Sequence, residues 1–366
     1  MYINIIYSIK KAEKDKFEYE FVLFADDTNI FVSAKTKQDA YLIANHVLNS
    51  VYIYMKTNQL HINFSKCAHM YFRPTLNYNN DRMSCARSAP YNNRLTLSVN
   101  GQKIKQVDKV KFLGVIIDEN LSWDEHIQHL ESKLLATIVL IKRIKKFIPS
   151  SQYVNIYHSL FVSHLTYGIS CWGGTYSTKL QKLFNIQKRC IRILFGKTLS
   201  FDHPEFYLTC ARTRTYEQHI APTDYTLEHT KPLFKKNGFL TMQNLYILRS
   251  LIELFKIIKL QSPVSIYNTF KFCPNTHHSK LLCPKYNLDI SKNNFNVKSI
   301  VLWNANIDFL FDQPILCTPK CTNGLQLIIP GNVKNSDLTM SIGTFKSRLR
   351  DVLKKLQNQG DPNNWS

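Results

Sequence analysis

The chain has 366 residues and carries 47 Lys and Arg against 26 Asp and Glu, which gives a formal net charge of +21. An excess of that size indicates a polyanionic partner, most simply nucleic acid. No stretch reaches the ~18–20 continuous apolar residues of a membrane span, so we expect no membrane contact. Nine cysteines at irregular spacing favour a reducing compartment over a disulfide scaffold. We therefore expect an intracellular protein, in the cytoplasm or the nucleus.

The first predicted element is a β-hairpin over residues 21–32. Two runs of apolar, β-favouring residues flank Asp26 and Asp27, which this pattern places at the turn. Two adjacent carboxylates there form a hard-oxygen site suited to Mg²⁺, not to zinc or copper. A metal so held can clamp the attacking and leaving oxygens of a phosphoryl transfer. Taken alone, the pair fits a structural turn equally well, because Asp is a common turn former.

After the hairpin, Thr36 and Asp39 form a capping-box pattern that predicts a helix start. Apolar residues then recur at helical spacing as far as Met55, which predicts a long amphipathic helix packed on a sheet. Asn100-Gly101 is typical of a tight hairpin turn. Short strands are predicted at 60–64, 68–72, 95–99, 102–107 and 110–117, and a polar loop at 73–94.

From Ser122 the pattern becomes helical. Three helices, predicted near 122–147, 153–165 and 177–195, form a separate α-helical unit. The third has a basic face that is either a phosphate-binding surface or a solvated helix face. That face consists of Lys182, Lys188, Arg189 and Arg192. Farther along, helices are predicted at 241–260 and 343–357, and the second of these is basic and amphipathic.

The order of these patterns resembles the reverse transcriptase of non-LTR, jockey-like retrotransposons, from the middle of the palm to the end of the polyprotein. Phe24-Ala25-Asp26-Asp27-Thr28 resembles the family's motif C, Asn58 to Lys66 its motif D, and Val110 to Val115 its motif E, the primer grip. The helices from Trp123 to Gly196, with Tyr167-Gly168 among them, resemble the thumb.

The resemblance implies an α+β fold in three parts. Residues 1–120 would form a partial polymerase palm, an antiparallel sheet with a helix. Residues 121–198 would form a helical thumb-like domain, and residues 199–366 a mixed, mainly helical C-terminal region. The implied activity is that of an RNA-directed DNA polymerase, a nucleotidyltransferase whose partners are an RNA template, a DNA primer and dNTPs. The oligomeric state stays open.

The resemblance also implies roles for individual residues. Asp26 and Asp27 would hold Mg²⁺, with Mn²⁺ as an alternative, while a primer 3′-hydroxyl attacks a dNTP. Lys66 would lie near the nucleotide phosphates as a proton donor to pyrophosphate. The nucleic-acid-binding set would be Phe112, Leu113 and Gly114 at the primer end, and Lys182, Lys188, Arg189 and Arg192 along the phosphates.

One departure from the family pattern changes the expectation for catalysis. The family's third carboxylate belongs to motif A, upstream of motif C, and the acids of residues 13–20 lie too close to the hairpin to replace it. We therefore expect a fragment that is inactive by itself and whose partial sheet leaves apolar surface exposed. Two alternatives stay open: a non-catalytic nucleic-acid-binding remnant, and a metal-dependent nuclease that uses the same carboxylates.

Cysteines and histidines in the C-terminal region weakly indicate a zinc knuckle. Their spacing matches no standard zinc pattern, so whether they bind metal stays open. The residues are Cys273, His277, His278, Cys283, Cys317 and Cys321.

Overall fold

The structure is a computed structural model that describes residues 18–25, 27–72, 95–196, 230–260, 263–271, 280–284, 293–310 and 341–359. Across these residues the fold is α+β, and the chain divides into two compact units. The first unit comprises residues 1–112 and 118–120, and the second comprises residues 113–117 and 121–366. None of the helices that the structure describes combines the length and the apolar character that crossing a bilayer requires.

The first unit is built around one helix, α1 (Lys37–Thr57). The Asp39 backbone N–H donates to the Thr36 hydroxyl over 3.1 Å, and that hydroxyl donates to the Asp39 carboxylate over 2.7 Å. The predicted helix start is therefore confirmed, with Thr36 as the N-cap and Asp39 in the capping-box position. The strands among the described residues are β1 (Tyr19–Phe24), β2 (Asp27–Val32), β3 (Ala68–His69), β4 (Leu97–Val99), β5 (Gln102–Gln106), β6 (Lys109–Phe112) and β7 (Val115–Asp118).

β1 and β2 form the predicted hairpin, with Phe24 paired opposite Asp27. In this register Asp27 is the first residue of β2 and not a turn residue, and Asp26 lies outside the described residues. Ala25 has a φ of 51°. That left-handed value suits a tight hairpin loop but costs a non-glycine residue about 1 kcal/mol or more.

One face of this hairpin packs on α1 and the other is open. The buried core of the unit consists of Tyr19, Phe21, Val47, Val51 and Met55. Because strand side chains alternate between faces, the opposite face of the hairpin carries Val22, Phe24 and Phe31, which are 40%, 58% and 47% exposed. The sheet thus has an apolar face that the described residues leave in contact with solvent.

A three-stranded sheet, in the order β3-β5-β4, also belongs to this unit. α1 holds it through Asn45, whose Oδ1 accepts the Ser98 backbone N–H over 3.0 Å, and through a 3.3 Å hydrogen bond between Tyr41 Oη and His69 Nε2. The β4–β5 hairpin confirms the prediction at Asn100-Gly101, which have φ values of 49° and 76°.

The strand predicted at 60–64 is wrong. In the structure this stretch pairs with no strand, and its side chains Leu60 and Ile62 pack against the core of the first unit. Similarly, only Ala68–His69 of the strand predicted at 68–72 forms a ladder. The alternating apolar residues Leu60 and Ile62 are partly buried by packing on the core and not by pairing in a sheet. The pattern failed as a strand signal because periodicity reports burial and not backbone pairing.

The second unit is helical. The helix predicted near 177–195 is confirmed, whereas the helix predicted at 153–165 contains a π-helical segment over Tyr157–Val162. The helices are α2 (Asp124–Ile144), α3 (Tyr153–Ile156), α4 (Ser163–Thr166), α5 (Ile169–Trp172), α6 (Ser177–Phe195), α7 (Thr230–Asn237), α8 (Met242–Leu260), α9 (Val264–Tyr267), α10 (Phe295–Leu310) and α11 (Ile342–Gln359).

A single hydrophobic core runs through these helices, from Ile127 of α2 to Leu353 of α11. Trp172, Trp303 and Phe345 are among its fully buried side chains. Phe345 stacks on Phe255 of α8 with ring centroids 4.1 Å apart. The described part of the C-terminal region thus supplies much of the core on which α2 and α6 pack.

Two buried glutamines join the sequence-distant parts of this unit at the link between α7 and α8. Gln187 of α6 donates to Leu240 O and to Tyr157 Oη and accepts the Met242 N–H, over 2.8–2.9 Å. Gln357 of α11 donates to Phe239 O and accepts the Thr241 N–H, both over 2.9 Å. The extended link 239–242 thus has its backbone groups satisfied by side chains, as burial requires.

Candidate nucleic-acid interface

α6 exposes one narrow stripe of its surface, called here the α6 stripe. It consists of Thr178, Lys182, Asn185 and Arg189, which are exposed, and the half-buried Arg192. Spacings of three and four residues align these side chains along one side of the helix. α6 contains no acidic residue. The charged groups of the stripe are therefore all positive, and phosphate groups suit them.

Lys188 does not belong to this stripe, although the sequence placed it on the outward face. Its side chain is only 8% exposed, and its ammonium lies 4.9 Å from the centroid of the Phe184 ring. Phe184 in turn contacts Phe234 of α7 at a centroid distance of 6.1 Å. Burial lowers the pKa of Lys188, and the charge of Arg192 lowers it further. A second helical layer therefore covers the flank that the sequence pattern left open.

Lys179, one turn before Lys182, is committed to a structural contact. Its Nζ lies 2.6 Å from the Asp124 carboxylate and donates to Ser122 O over 2.9 Å. Asp124 begins α2, so this lysine ties the start of α6 to the start of α2. Its charge is compensated within the protein by the Asp124 carboxylate.

The turn between β6 and β7 is fastened to the helices of the second unit. Leu113 and Gly114 have φ values of 44° and 85°. The Tyr167 hydroxyl donates to Leu113 O over 2.6 Å, and a Cβ on Gly114 would lie 3.1 Å from the Tyr167 ring. Glycine is therefore required at this position by both conformation and space. Leu113 remains exposed, so the turn is a rigid, accessible loop.

A buried histidine supports the strand that follows this turn. His126 of α2 accepts the Ile116 backbone N–H at Nδ1 over 3.3 Å, and its ring lies 5.4 Å from that of Trp172. Burial lowers the pKa of His126 to about 4, with a further lowering by His129. The imidazole is therefore neutral at neutral pH, as its acceptor role requires. Trp172 in turn donates to Tyr167 O over 3.0 Å.

The carboxylate pair lies in the first unit. Asp27 is exposed at the first position of β2, and Asp26 lies outside the described residues. The oxygen donors of this pair suit Mg²⁺, and the exposure of Asp27 leaves its carboxylate accessible to an ion. Within the described part of the chain, no group of three or more His, Cys, Asp or Glu is placed to hold a metal.

Two further predicted positions lie in the first unit. Phe112 is the last residue of β6, directly before the Leu113–Gly114 turn. Lys66 is exposed and ends a tight turn in which its backbone N–H donates to Asn63 O over 3.1 Å. The Asn63 side chain orders the same turn by accepting the Ser65 hydroxyl over 2.6 Å. Lys66 is thus presented on a defined loop, and its role stays a prediction.

The zinc-knuckle residues fall mostly outside the described residues. Cys283 is described and exposed as a free thiol, while Cys273, His277, His278, Cys317 and Cys321 are not described.

Sequence reasoning missed the contacts that hold the Leu113–Gly114 turn and the strand after it, which Tyr167 and His126 make. The signal for Tyr167 was Gly168, whose φ of 60° allows the chain to turn beside Val115; for His126 the sequence offers no signal.

The chain is similar to two curated proteins. It is 23% identical over 188 residues to an RNA-directed DNA polymerase from mobile element jockey of Drosophila melanogaster, across 50% of this chain and 19% of that protein. It is 22% identical over 182 residues to a retrovirus-related Pol polyprotein from type-1 retrotransposable element R1 of Bradysia coprophila, across 49% and 17%. No protein-family model and no solved structure matches the chain.

The matched segments cover about half of this chain and less than one fifth of either relative. Both relatives are non-LTR retrotransposon proteins, so the resemblance to jockey-like reverse transcriptases is confirmed. The chain is related to them at low identity.

Proposed function

We propose that this chain, a relative of jockey-like reverse transcriptases, binds a template–primer duplex through the α6 stripe and the Leu113–Gly114 turn. The observation that carries the proposal is the α6 stripe: three cations aligned on a helix that contains no acid. Cations in such an arrangement contact phosphates in a sequence-independent way. The net charge of +21 supports a polyanionic partner.

The turn adds a second contact point within the same unit. Leu113 and Gly114 belong to the second unit with α6, and Tyr167 holds the turn over a 2.6 Å hydrogen bond. A pre-organised loop loses little conformational entropy on binding. The turn thereby suits positioning of a primer end, while the α6 stripe holds the phosphates.

The experiment is a binding titration of a labelled RNA–DNA template–primer over a range of salt concentrations. The variant K182Q/R189Q removes two stripe cations, and K133Q/R143Q removes two exposed cations of α2 as a charge-matched control. We expect the stripe variant to lower the salt slope by about 0.7 to 0.9 for each phosphate that it no longer neutralises, and the control to match the unaltered chain. Equal effects of the two variants would contradict the proposal, because binding would then follow net charge alone.

The carboxylate hairpin supplies the polymerase part of the proposal. Asp26 and Asp27 would hold Mg²⁺, or Mn²⁺ in its place, and the ion would stabilise the charge that develops on the transferred phosphoryl group. Lys66 would donate a proton to the leaving pyrophosphate. Because the related enzymes require a further carboxylate, we propose that the 366 residues alone bind template–primer but do not extend it.

A primer-extension assay with dNTPs and either ion tests this part. The 366-residue chain should give no extension, and the variant D26N/D27N should bind template–primer as tightly as the unaltered chain. Extension that depends on Asp26 would overturn the inactivity. Loss of binding in D26N/D27N would show that nucleic-acid binding depends on the two carboxylates and would overturn this part of the proposal. Binding that is unchanged in D26N/D27N is also what the alternative, a non-catalytic nucleic-acid-binding remnant, predicts.

A further inference from the structure

A second group of cations lies in the helical unit, away from the α6 stripe. It consists of side chains from three elements that the sequence separates widely, and is called here the C-terminal basic cluster. His158 is exposed in the π-helical segment, and Lys235 and Lys236 are exposed in the last turn of α7. Arg350 is exposed and Lys354 half-buried on α11.

These elements meet at the link between α7 and α8. Lys354 Nζ lies so close to Gly238 that a Cβ on that residue would be 3.1 Å away. The next residue, Phe239, has its ring 5.8 Å from the ring of His158. α7 ends one residue before Gly238, and the Gly238 N–H donates to Lys235 O over 3.2 Å, so the backbone of Lys235 and Lys236 adjoins the same link. The cluster is therefore a spatial group and not a run of sequence.

The positive charges of the cluster act on one another. Burial lowers the pKa of His158, and the charges of Arg350 and then Lys354 lower it further. Lys346, Arg350 and Lys354 also follow one another at four-residue spacing along α11, an arrangement in which like charges repel. Asp351, the acid of α11, lies about 100° around the helix from Arg350 and, three residues before Lys354, about 60° from that lysine, so one acid stands against the three cations Lys346, Arg350 and Lys354. The cluster is therefore a site of concentrated positive charge.

The cluster faces away from the α6 stripe. Gln187 lies roughly 140–160° around α6 from Lys182 and Arg189, because each residue turns the helix by about 100°. The Gln187 amide donates to Tyr157 Oη and to Leu240 O, the neighbours of His158 and Phe239 in the chain. The two basic surfaces therefore lie on opposite sides of α6 and cannot contact the same stretch of backbone.

We propose that the C-terminal basic cluster is a second phosphate-binding surface for nucleic acid, contacting a segment that the α6 stripe does not reach. This inference rests on the proposed nucleic-acid binding of the helical unit. Phosphate contacts require cations and little apolar area, whereas protein interfaces are centred on apolar and aromatic anchors. Among the described residues, α7 and α11 contribute none of the exposed large apolar side chains.

The π-helical segment strengthens the assignment. A six-residue π-helix at Tyr157–Val162 departs from the α-helices on both sides, and such departures are frequent at functional positions. Here it places His158 at the corner where α7 and α11 meet. His158 thus becomes a spectroscopic reporter of a phosphate bound among these cations.

The test compares two double variants of the full chain. R350Q/K354Q removes the two cations that α11 contributes to the cluster. R348Q/K355Q removes two cations from the opposite flank of α11, so each variant loses one arginine and one lysine from the same helix. The probes are a template–primer duplex with a single-stranded overhang and, separately, poly-glutamate. We expect R350Q/K354Q to bind the nucleic acid severalfold more weakly, with a salt slope reduced by about 1 to 2, and R348Q/K355Q to bind unchanged.

Combination with K182Q/R189Q separates this inference from the proposed function. Two independent surfaces predict that the affinity reductions caused by the cluster variant and the stripe variant multiply. Normal binding by R350Q/K354Q together with weak binding by K182Q/R189Q would overturn the second surface and leave the proposed function standing. Unchanged binding in both variants would overturn both.

Two further readouts complete the design. In a histidine-labelled chain the pKa of His158 should rise on addition of nucleic acid, and also in R350Q/K354Q, because in each case the repulsion that lowers this pKa is relieved. An unchanged pKa of His158 in either experiment would overturn the placement of this histidine beside Arg350 and Lys354. A R350Q/K354Q variant that loses binding to poly-glutamate but keeps binding to nucleic acid would assign the cluster to an acidic protein and overturn the proposal.

Discussion

The two units differ in how much of their own apolar surface they bury. In the first, one helix covers one face of a hairpin, and Val22, Phe24 and Phe31 on the other face are 40–58% exposed. In the second, helices from both halves of the chain enclose one core in which Trp172 and Trp303 are fully buried. A two-stranded hairpin is not stable alone, whereas a multi-helix core is. Among the described residues, the helical unit therefore encloses its core, whereas the sheet unit has an apolar face in contact with solvent.

The largest expected effect comes from opening the shared helical core at its C-terminal end. Phe345→Ala removes a fully buried ring that stacks on Phe255 at 4.1 Å. We expect the free energy of unfolding of the helical unit to fall by about 3–5 kcal/mol. Phe147→Ala is the matched control, because Phe147 is 86% exposed and its removal should change little. Urea unfolding followed by circular dichroism measures both, and equal effects would mean that α11 is not part of the core.

The next largest expected effect is that acid lowers the free energy of unfolding of the helical unit, through protonation of His126. Its pKa is about 4 in the folded chain and 6.5 ordinarily, so between these values the unfolded chain binds a proton that the folded chain does not. Stability is therefore unaffected by this group above about pH 6.5 and falls as the pH drops towards 4, by on the order of 3 kcal/mol in total.

The measurement is urea unfolding from about pH 7 to about pH 4.5, compared with His126→Gln. The variant should be less stable at neutral pH, because glutamine does not replace the ring that packs on Trp172, but its stability should depend less on pH. His158 and His164 have lowered pKa values as well and contribute with the same sign in both proteins. Parallel pH profiles for the two proteins would show that His126 is not the responsible group.

Tyr167→Phe should give a smaller effect on stability and a separate effect on binding. The variant removes only the hydroxyl that donates to Leu113 O over 2.6 Å, a loss of about 1 kcal/mol. Because the turn is then less rigid, template–primer affinity should fall while the salt slope stays constant, since no cation is removed. If the template–primer affinity of Tyr167→Phe stayed constant while the salt slope changed, both expected results would be wrong, and the turn would not be a contact point.

Phe31→Thr should have almost no effect on the folding free energy, because Phe31 is 47% exposed on the open face of the hairpin. Threonine keeps the β-preference of the strand. The expected change is in association: less binding of a hydrophobic dye and less self-association of the full chain. A large loss of stability instead would show that this face is already covered, and the contrast between the units would disappear.

The sequence predicted well wherever a local signal decides the structure. The capping box at Thr36, the Asn100-Gly101 turn and the amphipathic α6 are each specified within a few residues. The sequence-based prediction failed where residues far away in the sequence determine which side chains are buried. Lys188 reads as an outward lysine until α7, more than 40 residues farther on, covers that flank. α10 escaped prediction because its apolar residues do not gather on one face, so the helical periodicity that reveals α6 is absent.

The candidate site divides in the same way. The order of the carboxylate pair, the Asn58–Lys66 segment and the Val110–Val115 strand predicted the relationship to jockey-like reverse transcriptases. The convergence of His158, Gly238 and Lys354 carries no sequence signal, because it depends on how three helices with long intervening segments pack together. Local chemistry is therefore readable in the sequence, and surfaces built by tertiary packing are not.

The most direct measurement of the central claim is photo-crosslinking of the full chain to a template–primer that carries a photoreactive group at successive backbone positions, with the crosslinked residues identified by mass spectrometry. If the helical unit binds nucleic acid as proposed, crosslinks form at Lys182 and Arg189 on the α6 stripe and at the Leu113–Gly114 turn, and none form at the buried Lys188. Crosslinks that avoid α6, or that spread evenly over exposed lysines of both units, would contradict it.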